Sequence, residues 1–147
     1  MKEVNAVIGG EGSGGVIYPA LHYGRDALVG IAFTLQYLAD SGKKLSAIKD
    51  ELPNYFISKK KIELKNVSPD EVIDKLVKKY SSNKINTEDG LRIDFWESIP
   101  SGEDHWVHFR KSNTEPIVRI ITESKTQNYS EELSKKYYDE INTLMKS

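Results

Sequence analysis

The chain has 147 residues, 38% hydrophobic and 29% charged, and its 21 basic against 22 acidic side chains leave a formal net charge of -1. It has no cysteine, which excludes a disulfide framework and a cysteine zinc site. No apolar run approaches the ~18 residues of a membrane span, no signal-peptide run opens the chain, and the balanced charge weighs against a nucleic-acid binder, so a soluble, cytoplasmic chain of about one ordinary domain or two small ones is expected.

In chain order, Asn5-Ala6-Val7-Ile8 reads as a short buried strand running into a cluster of glycines. Ala27, Leu28, Ile31, Leu35 and Leu38 then recur at helical spacing, between a start near Gly24-Arg25-Asp26 and a stop at Ser41-Gly42. Leu45, Ile48 and Leu52 mark a short amphipathic helix ended by Pro53, and Tyr55 to Leu64 reads as extended. Ser68-Pro69-Asp70-Glu71 is a helix start with a capping Ser, Pro in the first turn and a capping-box Glu, ahead of an apolar stripe of Val72, Ile73, Leu76, Val77 and Tyr80.

Asp89-Gly90 marks a turn before Leu91, Ile93 and Phe95, which alternate with Arg92, Asp94 and Trp96. Trp106 to Arg110 and Ile117 to Ile121 are two more strands, and a last helix is expected to start with Ser130 as cap and Glu131-Glu132 in its first turn. The pattern from Tyr55 onward predicts an α+β unit, an antiparallel sheet of about four strands with two helices on one face. Residues 1–53 hold too little to close a core alone and read as a partial α/β domain ahead of a second domain over 54–147.

Two places concentrate unusual residues. Five of the ten glycines fall between Gly9 and Gly15. Gly10-x-Gly12-x-x-Gly15 resembles a dinucleotide fingerprint, but no helix starts within the glycines to meet a pyrophosphate. No Gly-Lys-Ser/Thr closes a P-loop there either. What remains is either a plain tight turn or a loop presenting the Glu11 carboxylate and the Ser13 hydroxyl to sugar hydroxyls.

The second place is the turn after Arg110. Val107 and Phe109 share one strand face, and Trp106, His108 and Arg110 the other. Arg110 therefore leaves the sheet beside Ser112, Asn113 and Thr114, whose donors suit a phosphate dianion. An ordinary hairpin loop, with Asn113 at its tip, is the competing reading.

Gly-Glu-x-Ser-Gly at 10–14 together with Arg-x-Ser-Asn-Thr-x-Pro at 110–116 resembles the α-D-phosphohexomutases: phosphoglucosamine mutases, phosphomannomutases and phosphoglucomutases. The resemblance implies that residues 1–53 are the end of the third domain, with Glu11 and Ser13 in its sugar-recognition loop. It implies that residues 54–147 are the fourth domain, of TATA-binding-protein-like fold, with Arg110, Ser112, Asn113, Thr114 and the trailing Arg119 binding the substrate phosphate. Many bacterial members have His where this chain has Gly15, and the Gly-Glu-Gly-Ser-Gly-Gly form is similar to archaeal-type members.

The family's Ser-His-Asn-Pro phosphoserine segment and Asp-x-Asp-x-Asp magnesium loop do not occur here. The expectations are therefore no catalytic or metal-binding residue in this chain, Mg2+ only in the full-length enzyme, and an isolated chain that is inactive without the N-terminal domains of its polypeptide. The expected substrate is a hexose phosphate, interconverted between its 1- and 6-phosphates through a bisphosphate. A stand-alone sugar-phosphate binding domain is the alternative. A nucleic-acid-binding α+β module, stacking bases on Trp96, Trp106 and Tyr55, is the remote one.

Overall fold

The structure is a computed structural model that describes residues 1–11, 14–65, 67–95, 104–112 and 114–145. Two compact units partition the chain, Met1–Pro53 and Asn54–Ser147. Among the described residues no helix is long and apolar enough to cross a membrane.

In the first unit β1 (Gly9–Gly10) pairs antiparallel with β2 (Val16–Ile17), and α1 (Ala27–Ser41) and α2 (Leu45–Glu51) follow. Asp26 caps α1 by accepting from the Leu28 and Val29 amides, and the helix ends at Gly42 in the left-handed region. The Val29 amide is the main influence holding the Asp26 carboxyl below its ordinary range. The buried strand expected over 5–8 is not formed. Val7 and Ile8 are exposed, Asn5 has a positive φ of 47°, and among the described residues no strand lies alongside to take their hydrogen bonds. Val29 is the one buried hydrophobic of this unit among the described residues. The apolar spacing of α1 is real but its stripe is largely exposed, with Leu28 at 77% and Leu35 at 60%.

The second unit is one antiparallel sheet in the order β3-β7-β6-β5-β4. Its strands are β3 (Phe56–Glu63), β4 (Lys84–Asn86), β5 (Leu91–Asp94), β6 (His105–Lys111) and β7 (Ile117–Ser124). β4 adds a short edge strand that sequence pattern did not single out, because Ile85 is its only apolar residue. Trp96, which closed the predicted β5 alternation, lies outside the described residues.

Side chains alternate between two faces along each strand. Ile62, Leu91, Ile93, Val107, Phe109, Val118 and Ile120 point to one face and are buried. There they meet Val72 and Leu76 from α3 (Pro69–Lys79) and Leu133, Tyr137 and Ile141 from α4 (Gln127–Leu144). Phe109 packs edge-on against Tyr137 at a centroid separation of 5.4 Å. Each such fully buried large apolar side chain stabilises the fold by roughly 1.5–3 kcal/mol.

The Ser68 capping box of α3 forms in both directions, with Glu71 N donating to Ser68 Oγ and Ser68 N donating to Glu71 Oε2. α4 starts four residues earlier than the Ser130 cap implied, capped by Thr126, whose side chain accepts from Tyr129 N. Ser130 is instead buried within the helix. Its Oγ donates to Thr122 O, and Thr122 Oγ1 donates to Ser130 O at 2.8 Å. Small hydroxyl residues there let α4 lie close on β7 with their polar groups satisfied.

Candidate functional site

The helix-free face of the sheet carries the charged half of the same alternation. The register puts Lys61 of β3 opposite Arg119 of β7, and Arg119 opposite Arg110 of β6. Three cations thus stand side by side on adjacent strands. Like charges directly opposite one another destabilise a sheet, so the row is unfavourable unless anions offset it. One offset is internal: Arg110 Nε lies 3.1 Å from Asp89 Oδ2. Arg119 has no ion pair among the described residues.

The row ends at the turn joining β6 to β7. Ser112 N donates to Ile117 O at 3.1 Å, which closes the turn. Thr114 N donates to Ser112 Oγ at 3.4 Å, and the Ser112 and Thr114 hydroxyl oxygens are also 3.4 Å apart. Both hydroxyls and both arginines line a cleft of about 390 Å³. Its opposite wall is the turn Glu88-Asp89-Gly90. Such a cleft can hold a phosphate, with guanidinium forks and hydroxyl donors converging on its oxygens. Lys111 also lines it, but its ammonium is held by Asp70 Oδ1 at 2.6 Å.

Of the residues expected to bind phosphate, the structure brings together Arg110, Ser112, Thr114 and Arg119. Asn113 lies outside the described residues. Sequence reasoning missed the wall formed by Asp89 and Gly90, which the β5–β6 register carries next to Arg110. It also missed Lys61, which only the β3–β7 register puts opposite Arg119.

In the other unit Glu11 starts the glycine loop, and Ser13 lies outside the described residues. Glu11 N donates to Gly15 O at 2.9 Å, and Glu11 Oε2 accepts from Arg25 Nη1 at 3.2 Å. A Cβ added at Gly15 would lie 2.8 Å from Arg25 Cδ and 3.3 Å from Glu11 Oε2. Glycine there leaves the space through which Arg25 reaches the carboxylate. The sequence reading had not singled out Arg25.

Of the aromatic residues weighed as base-stacking platforms, Trp106 is engaged within the sheet. The Arg92 guanidinium sits 4.4 Å from its ring centroid, and its Nε1 donates to Glu123 Oε1. Tyr55 is 42% exposed. Among the described residues no three His, Cys, Asp or Glu side chains converge as a metal site. His105 faces the helices and His108 the open face, in keeping with their spacing.

Residues 1–56 match the family described as "Phosphoglucomutase/phosphomannomutase, alpha/beta/alpha domain III". A phosphoglucosamine/phosphogalactosamine mutase of Sulfurisphaera tokodaii is 36% identical over 90% of this chain and 28% of its own length. A phosphoglucomutase/phosphomannomutase of Thermococcus kodakarensis is 40% identical over 95% of this chain and 28% of its own. A crystal structure of a phosphoglucomutase/phosphomannomutase family protein from Burkholderia thailandensis superposes with a TM-score of 0.69 at 28% identity, covering 99% of this chain and 30% of that one. The chain thus spans less than a third of the length of these relatives.

Proposed function

The chain belongs to the phosphoglucomutase/phosphomannomutase family, and on that premise we propose that it is the substrate-gripping part of a hexose-phosphate mutase. In this reading residues 1–53 are the end of the third domain and residues 54–147 the fourth. They work with the N-terminal domains of the same polypeptide in the cytoplasm. The reaction is an intramolecular phosphoryl transfer that interconverts a hexose 1-phosphate and its 6-phosphate through a bisphosphate.

The observation that carries the proposal is the cation row ending in a hydroxyl-lined turn. Arg110 and Arg119 provide forked, permanently charged donors, and Ser112, Asn113 and Thr114 provide neutral ones. This set suits the phosphate that is not being transferred, because it neutralises charge and offers hydrogen-bond donors. Phosphoryl transfer depends chiefly on positioning and electrostatics. A phosphate held here fixes the far end of the sugar while the other end reacts. Glu11 and Ser13 would accept and donate to ring hydroxyls, and a carboxylate with two acceptor oxygens can serve the sugar in both orientations. Mg2+ is proposed for the full-length enzyme only, and no step is derived through it. The chain alone is then a binding piece without turnover.

The test is kinetic. In the full-length enzyme Arg110→Ala removes a charge-assisted contact worth roughly 1.5–3 kcal/mol and should lower kcat/KM by about 10- to 100-fold with glucosamine, mannose or glucose phosphates. Unchanged constants with all of these substrates would remove Arg110 from the site.

A further inference from the structure

The cleft contains a feature that anion binding alone does not explain. Asp89 places a carboxylate on its wall, within 3.1 Å of Arg110 Nε. As an isolated charge this carboxylate opposes a bound phosphate. As an exposed ion pair it adds little to stability, since such pairs contribute about 0–1 kcal/mol.

The backbone beneath Asp89 is nonetheless fixed closely to β6. The His108 ring, on the same sheet face as Arg110, donates its Nε2 hydrogen to the Asp89 carbonyl, which can only accept. The next residue, Gly90, has φ of 82° and lies so near β6 that an added Cβ would fall 2.2 Å from the Phe109 carbonyl oxygen. Leu91 then enters the sheet opposite Phe109. The turn is therefore anchored to His108 and Phe109, and Arg110 follows directly.

We propose that Asp89 is a positioning residue for Arg110, an assignment that rests on the phosphate-binding reading of this cleft. Its carboxylate stands 3.1 Å from Nε and pairs with the guanidinium by charge. A guanidinium has five N–H groups in a rigid plane, so a charge pair beside Nε leaves the N–H groups on the edges remote from Asp89 for the phosphate oxygens. The long Arg side chain is ordered before the ligand arrives, and less rotamer freedom is lost on binding. Asp89 itself does not touch the phosphate.

The sign of a charge-removing substitution separates this role from a bystander. In Asp89→Asn the loss of a nearby negative charge on its own would strengthen anion binding. Loss of the anchor would weaken it. With the full chain and glucose 6-phosphate as the probe, the positioning role predicts binding about fivefold weaker in both Asp89→Asn and Asp89→Ala, with Asp89→Glu restoring part of it.

A second readout needs no ligand. The Arg110 Nε–H resonance, identified by its absence in Arg110→Lys, should be a distinct peak, shifted from the free-arginine position, in the wild-type chain. It should collapse into the free-arginine position in Asp89→Asn while the backbone amide spectrum stays dispersed. An unchanged Nε–H peak, or affinity equal to or tighter than wild type in both variants, overturns the proposal. The peak is read in the free protein. A wild-type chain that ignores the sugar phosphate but loses the peak in Asp89→Asn would therefore sink the phosphate reading while upholding the anchoring.

Discussion

Gly90→Ala is predicted to be among the most damaging single-atom changes in the second unit. Two costs combine. At φ of 82° an L residue is strained, by roughly 1–2 kcal/mol in the left-handed region. The added Cβ would also stand 2.2 Å from Phe109 O and 3.2 Å from Arg110 Cα, both backbone atoms of β6 that cannot rotate away. Relief requires β5 and β6 to part by most of an ångström where Leu91 and Phe109 are fully buried. Overpacking a tight core in this way costs roughly 1–3 kcal/mol.

The sum is about 3 kcal/mol, a large part of the 5–15 kcal/mol that holds an ordinary domain together. Both tryptophans of the chain, Trp96 and Trp106, lie in the second unit, so tryptophan fluorescence during urea unfolding reports on that unit. With a urea m-value of about 1.5 kcal/mol per molar, the midpoint should fall by about 2 M. Gly90→Asn sharpens the test, because Asn tolerates a positive φ but carries the same Cβ. If the contact with Phe109 dominates, Asn is nearly as harmful as Ala. A midpoint within about 0.3 M of wild type for either variant would refute the close-approach argument.

Further outcomes follow from other parts of the fold. Burial, and then the bond to Glu140, pushes the Tyr80 hydroxyl well above the ordinary tyrosine range, and burial does the same for Tyr137. Below about pH 10 both folded and unfolded chains keep these protons. Above it the unfolded chain releases them first, so stability should fall as pH rises from about 10, and in Tyr80→Phe the fall should be shallower by up to about one proton. An identical slope in urea titrations of the two proteins between pH 10 and 11 would argue against this assignment. Ser68→Ala should cost about 1 kcal/mol by removing the α3 capping box, seen as a lower thermal midpoint by circular dichroism, and no change would mean the cap is not formed in solution.

How far the sequence led differs by element, for physical reasons. α3 was readable to the residue because Ser68, Pro69 and Glu71 each serve a distinct terminal need. The start of α4 was not. Ser130 with Glu131-Glu132 mimics a helix start, and only the tertiary contact with Thr122 shows that its hydroxyl is used inside the helix. Asn5 to Ile8 misled because an apolar run signals burial only when a partner surface exists to cover it.

At the site, the outward direction of Arg110 followed from strand alternation alone. Arg119 came with the motif, whereas Lys61 needed the β3–β7 register and Asp89 the β5–β6 pairing, neither of which a linear motif encodes. In the first unit the motif pointed to Glu11, while the arginine that pairs with it is reached only through the space left at Gly15.

The central claim is that the Arg110–Arg119 cleft binds a sugar phosphate through its phosphate. It is tested most directly by titrating the wild-type chain with glucose 6-phosphate and, separately, with glucose, while following backbone amide shifts. The account predicts saturable shifts at Ser112, Thr114 and Arg119 with the phosphate ester, none with glucose, and their loss in Arg110→Ala. No shift at these residues at millimolar glucose 6-phosphate, or equal shifts with glucose, would contradict it.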